Sequence, residues 1–568
     1  MAKSDDKKTG ALIVELEEAE PEDKVLCWLE SSLTRVYPNS PVGEQRSLGL
    51  LTARNRNISF QACLRNESLQ SLNVECSVEG AADLGVRVRR VGYVPMRNKT
   101  GKTPLTELEG WQYVPGLVPD PLFPEQEAPV GPYANQSFWI TLSIPEHATP
   151  EIKNLTIRFS IQAKAHNRGK AAAELKASVD VRSLVIEPRK DFPVTHWWRP
   201  EDIYEYYHVE PWSDEWYALA KPYLENMLVH GSDVFFVPAI YPRREYIVRP
   251  AQLLRVTETS PNQFEFDFAE VKRFIDFAKE CGFESFEWPH FWIYWGVEHP
   301  MRVYHWVDGK AVEFWPLDED GFGARYMSFL RQFIPELKKF LIEEDILDKS
   351  YFHISDEPSG TEAFERYTKA RRILKELAPW MKVMDALSEL QYGETGIVDY
   401  PIPVVDKAQA YVDAGIPHWV YYCCVPRGEW LNRFLDTPLT KIRMSGWLFY
   451  KMDARGFLHW GYNYWHKAEQ EALVDPFTDA TSDNAPWFPS GDPFVVYPGT
   501  DGPIDSIRWE VFAESLEDYA MLQTIGIKRD DPLLSEIKTY ADFPKTEKWI
   551  TKALGKALAR NTPDGNAH

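Results

Sequence analysis

The rhythm of apolar and polar positions changes once along the chain, near residue 190. Before that point short alternating runs dominate: N-I-S-F-Q-A-C-L (57–64), S-F-W-I-T-L-S-I (137–144), L-T-I-R-F-S-I-Q-A (155–163) and A-S-V-D-V-R-S-L-V-I (177–186). Successive strand residues face opposite sides of a sheet, so a period of two describes strands with one buried face. Pro, Gly and Asn separate the runs, which predicts an antiparallel β-sandwich over residues 1–190. The Pro-rich stretch 114–134 reads as an extended loop.

After residue 190 the pattern becomes strand, then helix, repeated. The strand runs are V-T-H-W-W (194–198), V-F-F-V-P-A-I (234–240), S-F-E-W-P-H-F (285–291), Y-F-H-I-S-D-E (351–357), K-V-M-D-A-L-S (382–388), V-D-Y-P-I-P-V-V (398–405), H-W-V-Y-Y-C-C (418–424) and F-L-H-W-G-Y-N-Y-W (457–465). Between them lie amphipathic segments, one with Tyr326, Phe329, Phe333, Leu337 and Phe340 at helical spacing, another with Phe364, Tyr367, Ala370, Ile373, Leu374 and Leu377. Ser359 and Glu362 have the form of a capping box opening the second. Such alternation predicts a (β/α)8 barrel over 191–525, with 505–522 as its closing helix and 526–568 as a C-terminal helical tail.

Composition narrows the partners. A formal net charge of −22 argues against nucleic acid and against an anionic membrane surface. Aromatic residues make up 14% of the chain, enough to stack on sugar rings as well as to fill a large core. Six cysteines form no CxxC pair and suit free thiols in a reducing compartment; Cys423–Cys424 reads as a buried strand pair. The charged start has no apolar h-region, and no 18-residue apolar window exists, so a cytoplasmic location is expected.

A barrel carries its chemistry at the C-terminal ends of its strands. Here those ends offer His196, Trp198, Tyr241, Trp288, His290, Asp385, Tyr421, Tyr422, Trp460, Asn463 and Trp465 as sugar-binding candidates. The fourth run ends in Asp356 and Glu357, closed at once by Pro358. Glycosidases with an enzyme nucleophile need two carboxyls about 5–5.5 Å apart, which neighbours pointing to opposite faces serve poorly. Where a proline breaks the pleat, both can lean into the mouth. An adjacent pair then suits substrate assistance: one acid protonates the glycosidic oxygen, while its neighbour holds the substrate's 2-acetamido group, whose oxygen attacks C1. A salt-bridged loop or a helix N-terminus would explain two adjacent acids equally well. No H-E-x-x-H, P-loop or G-x-S-x-G occurs, and neither metal nor cofactor is expected.

R-V-G-Y-V-P (90–95), H-I-S-D-E-P (353–358), G-F-L-H-W-G-Y-N-Y-W (456–465) and Y-P-G-T-D-G-P-I-D-S-I-R-W-E-V-F-A-E-S-L-E-D-Y (497–519) resemble glycoside hydrolase family 123, the β-N-acetylgalactosaminidases. The resemblance runs from about 90 to 525 and implies a sandwich followed by a barrel. It implies retention of configuration by acetamido participation, with Asp356 orienting the acetamido nitrogen and Glu357 as general acid/base. The implied substrate is a glycan ending in β-linked N-acetylgalactosamine, released from its non-reducing end. Another 2-acetamido sugar such as GlcNAc, or a silent carbohydrate-binding protein on the same scaffold, stays open from the sequence.

Overall fold

The computed structural model describes residues 10–15, 24–80, 82–163, 170–240, 251–293, 295–308, 310–316, 318–467, 472–481 and 488–560. Its N-terminal region is rich in antiparallel sheet. One sheet has six strands in the order Leu12–Glu15, Lys24–Ser31, Arg56–Asn66, Asn135–Ile144, Gly85–Met96, Gly116–Phe123. The other has five, in the order Ser47–Arg54, Lys170–Val185, Ile152–Ala163, Leu72–Glu79, Glu127–Val130, with only the first pair parallel. One apolar cluster takes Phe60, Phe138 and Ile140 from the first sheet and Val74, Ile157 and Phe159 from the second. The stretch expected to be a loop contributes Gly116–Phe123 and Glu127–Val130, each at a sheet edge. An edge strand tolerates proline because one side of its backbone needs no ladder donor.

The eight strand runs of the second half all form strands, shorter than their sequence suggests: Val194–His196, Val234–Phe236, Ser285–His290, Ser350–His353, Lys382–Asp385, Tyr400–Pro401, Val420–Tyr421 and Phe457–His459. They make one curled parallel sheet in which sequence neighbours pair, and the first strand also pairs with the eighth. The sixth and seventh approach through a parallel bridge, Val404 to Tyr421. The result is a TIM-like barrel. Helices such as Ala324–Glu343 and Thr361–Leu377 follow the third and fourth strands on the outside. The second of these is capped differently from expectation. Its N-cap is Gly360, and Ser359 donates instead to Glu389 across the loop at 3.1 Å.

Helix Ile507–Ile525 is buried on nearly every face, since barrel helices cover one side and the N-terminal sheets the other. Its polar residues therefore need partners inside the protein. Glu510 accepts from Arg89 at 2.9 Å, Asp518 from Arg56 at 2.9 Å, and Arg508 pairs with Asp120 at 3.0 Å with neither side chain exposed. These contacts fix the sheets on the barrel. Beyond the helix come a turn at Pro532–Leu534 and one further helix, Glu547–Ala559.

Candidate active site

The fourth barrel strand stops at His353, and the chain turns out of the pleat before Pro358. Glu357 takes a left-handed backbone, φ 45°, which costs a non-glycine residue about 1–3 kcal/mol. Its carboxylate accepts a short hydrogen bond from the Tyr421 hydroxyl, offered by the seventh strand. Asp356 is half-buried, and its backbone carbonyl accepts from the Trp295 N–H at 2.8 Å. Burial first, and the negative charge of Glu357 second, push the Asp356 carboxyl well above its ordinary range; His353 pulls the other way. The pair thus holds one proton more tightly than two separate carboxyls would.

Behind the pair lies a closed ion network. His353 bonds Asp385 through Nδ1 at 3.1 Å and Glu287 through Nε2 at 2.7 Å. Glu287 also accepts from the Trp197 indole at 2.5 Å and from Thr195. Asp385 accepts from the Tyr367 hydroxyl at 2.6 Å and from the Ile354 N–H. Burial alone would lower His353, yet its hydrogen bonds to Asp385 and Glu287 raise it to about 10. An imidazolium with a carboxylate on each nitrogen is a fixed positive support for the loop that carries Asp356.

His290 stands beside it, ring centroids 4.4 Å apart, buried and with neither nitrogen bonded among the described residues. Burial holds it neutral, well below the usual histidine range. Among the described residues two groups have ligand atoms close enough for a metal ion, His290–His353–Asp385 and His230–Asp505–Glu510. Neither is an uncommitted donor set. Both nitrogens of His353 are engaged, and Arg89 already bonds Asp505 and Glu510.

Of the residues singled out in the sequence, His290, Asp385, Tyr421 and Trp460 gather with Asp356 and Glu357 or with the network behind them. Asp385 is fully occupied by that network. Trp460 packs against the barrel-interior cluster containing Tyr421 and stacks on Phe488 at 5.1 Å. Its indole donates to the buried Asp492 at 3.2 Å. Burial raises Asp492 to about 7 against the opposing effects of that bond and nearby arginines.

The structure places most of the others elsewhere. His196 bonds Ser232 and Arg433 and packs against Trp509; Trp198 packs on Trp216 and Phe274, on the helices outside the first strands. Trp288 likewise points outward, to Ser350 and Phe340. Tyr422 lies against Phe457 and His459. Asn463 ties two loops by bonding both backbone groups of Arg199, and Trp465 is buried against Tyr206 and Tyr223. Tyr241 lies outside the described residues. For the first strand the reason is phase. On the first strand Thr195 and Trp197 face the interior, so His196 and Trp198 cannot. Trp197, Glu287 and Tyr367 were missed, as was Trp295, 61% exposed beside Asp356. The signal for Glu287 was an acid inside an apolar strand run, which is tolerated only with partners.

The model of the glycoside hydrolase 123 catalytic domain matches residues 197–525, more than half of the sequence. The chain belongs to glycoside hydrolase family 123. It is therefore a glycoside hydrolase, and the D-E-P end of the fourth strand lies inside the family 123 region. A solved family 123 glycoside hydrolase from Clostridium perfringens superposes with a TM-score of 0.72 at 13% identity, covering 94% of this chain and 97% of that one, which shows a shared fold. Two β-galacturonidase structures from Eisenbergiella tayi reach TM-scores of only 0.33 and 0.32 at 11% and 12% identity, over 86% of this chain and 71% and 72% of theirs. No curated protein matches the sequence. Among the described residues no helix is long and apolar enough to cross a membrane.

Proposed function

We propose that this enzyme removes β-linked N-acetylgalactosamine from the non-reducing end of a glycan, with retention, by participation of the substrate's own acetamido group. The observation that carries the reading is the coupled pair Asp356–Glu357 at one strand end, held by Tyr421 on one side and His353 behind. The family resemblance supports the roles: Glu357 as general acid and base, Asp356 as the partner of the acetamido nitrogen.

Burial and the neighbouring acid drive the Asp356 carboxyl upward, so the pair holds one proton between its two carboxyls. An acetamido N–H bonded to Asp356 would stabilise its anion and leave the proton of the pair available to the leaving oxygen. Substrate binding would thereby arm the acid. Trp197, Trp295 and Trp460 offer aromatic faces, and neutral His290 offers an unused donor and acceptor. The Clostridium perfringens relative is described in terms of glycolipid glycan hydrolysis; by analogy a glycoconjugate is the substrate class here. We also read residues 1–190 as a sandwich, because one apolar cluster joins the two sheets, 191–525 as the catalytic barrel, and 526–568 as a C-terminal tail.

The test is a panel of aryl glycosides. An aryl β-N-acetylgalactosaminide should be cleaved and the matching β-galactoside hardly at all, because removing the nucleophile costs more than the about tenfold expected for one lost hydrogen bond. A thiazoline resembling the cyclised intermediate should bind more tightly than the free sugar. Comparable turnover of both glycosides, with a sugar covalently attached to a protein carboxylate, would refute the mechanism. The GlcNAc epimer in the same panel decides the sugar.

A further inference from the structure

A cavity of about 140 Å³ lies behind Phe488, the ring that stacks on Trp460. Its walls come from the turn after strand Gly85–Met96, from Arg427 beyond the seventh barrel strand, and from residues 478–481 and 488–490 beyond the eighth. Phe488 lines it and also stacks on Trp460 at 5.1 Å, so one aromatic wall separates this cavity from the sugar-binding face. The N-terminal turn is fastened to the barrel. Thr100 donates to Asp436 from its N–H at 2.8 Å and its hydroxyl at 2.6 Å, and the Gly428 N–H donates to Thr103 at 3.2 Å.

The cavity reverses the sign of the molecule around it. Arg97, Lys99 and Arg427 line it, against the single acid Asp479 among the described lining residues, in a chain of net charge −22. Lys99 is held over the Trp111 ring at 5.2 Å, and Arg97 makes no ion pair among the described residues. Thr100, whose hydroxyl is engaged with Asp436, and Ser490 also line it. Clustered cations in an acidic protein raise the local concentration of anions and repel nothing that a neutral sugar carries. The volume is below the roughly 300 Å³ at which pockets for whole ligands begin, so it suits a substituent or part of a ring.

We propose that this cavity is a subsite for an anionic substituent, a carboxylate or a sulfate, borne by the glycan next to the sugar being released. The proposal rests on the reading that the barrel mouth takes a glycan. It makes the enzyme selective for acidic glycans without any change at the catalytic pair.

Binding is measured first, independently of turnover. Calorimetric titration at low salt with glucuronate, galactose 6-sulfate and galactose should give saturable binding of at least one anion and none of galactose. Arg97→Glu and Lys99→Glu should abolish it, and the preferred anion identifies the substituent. In kinetics, Arg97→Glu should raise KM about tenfold for an N-acetylgalactosaminide carried on a uronic acid or a sulfated galactose, the loss of one charge-assisted contact. The neutral aryl glycoside should keep its kcat and KM. The proposal is overturned if neither anion binds saturably, or if the variant slows neutral and acidic substrates equally. Should no 2-acetamido substrate be cleaved at all, the proposed reaction falls, and the titrations still decide the cavity.

Discussion

Asp518 and Asp356 are both aspartates taken into the protein, and their carboxyls are driven in opposite directions. Burial works to raise both. At Asp518, Arg443 and Arg56 overrule it and hold the carboxyl below its ordinary value, with Arg443 Nε at 2.7 Å and Arg56 at 2.9 Å. At Asp356 the largest charge effect comes from another acid, Glu357, which outweighs the opposing His353, and the carboxyl is pushed well up. A buried acid with an arginine is held as an ion and stays inert; a pair of acids without one keeps a proton it can give away. Stability and chemistry are built from the same residue type, separated by the presence of a guanidinium.

Removing the proposed proton donor breaks the reactive half of this comparison. Glu357→Gln should lower kcat on substrates with poor leaving groups by about 10²–10⁴-fold, the range of general acid catalysis. A dinitrophenyl leaving group, which needs no protonation, should recover much of the first step. Near wild-type turnover of an unactivated glycan by this variant would remove Glu357 from its role.

The inert half breaks differently. Arg443→Ala leaves Glu514 and Asp518 buried with only Arg56 close by, and should cost about 3–5 kcal/mol of stability in denaturant titration. Activity per folded molecule should not change. A fall in kcat at full folding would mean that this network reaches the mouth and that the two regions are not separate.

How far the sequence carried these distinctions depends on the strand. All eight barrel strands and the closing helix were legible, because alternation of strand and helix over a long stretch has few other solutions. Strand ends were not, since aromatic residues continue past the last ladder bond in V-T-H-W-W and F-L-H-W-G-Y-N-Y-W. Facing was harder still. A parallel barrel strand is buried on both sides, so it has no polar face to betray its phase. His196 and Trp198 looked as suitable as Thr195 and Trp197, and only the three-dimensional partners separate them. Asp356 and Glu357 stood out as adjacent acids where a proline closes the strand, although a salt-bridged loop or a helix N-terminus would show the same pattern. Asp492 sits in a long loop, where no periodicity points to Trp460.

His353 tests whether the network behind the pair belongs to the stable or the reactive class. Its folded value of about 10 lies above the ordinary 6.5, so its contribution to stability is full below about pH 6.5 and is lost as pH rises through about 10. His353→Gln should therefore flatten the decline of the thermal midpoint between pH 6 and pH 10. Parallel declines in wild type and variant would show that His353 is not the charged member of the network. A pKa that differs by one between the folded and unfolded chain corresponds to about 1.4 kcal/mol, so the difference between wild type and variant is measurable.

The smallest effect is expected at Tyr421, whose hydroxyl is the donor linking the seventh strand to Glu357. Tyr421→Phe removes that donor and leaves the ring in its interior cluster. A hydrogen bond to a charged group contributes about 1.5–3 kcal/mol at most, and substrate or solvent can replace part of it. The loss in kcat should therefore be about tenfold on a poor leaving group. A dinitrophenyl substrate is the sharper readout. Its leaving oxygen needs no protonation, so a tyrosine that acts through Glu357 should leave the first step on that substrate nearly unchanged. A merely structural tyrosine would slow good and poor leaving groups alike. Equal losses on both substrates would thus take Tyr421 out of the acid's control and leave its hydroxyl as a brace between the seventh strand and the fourth.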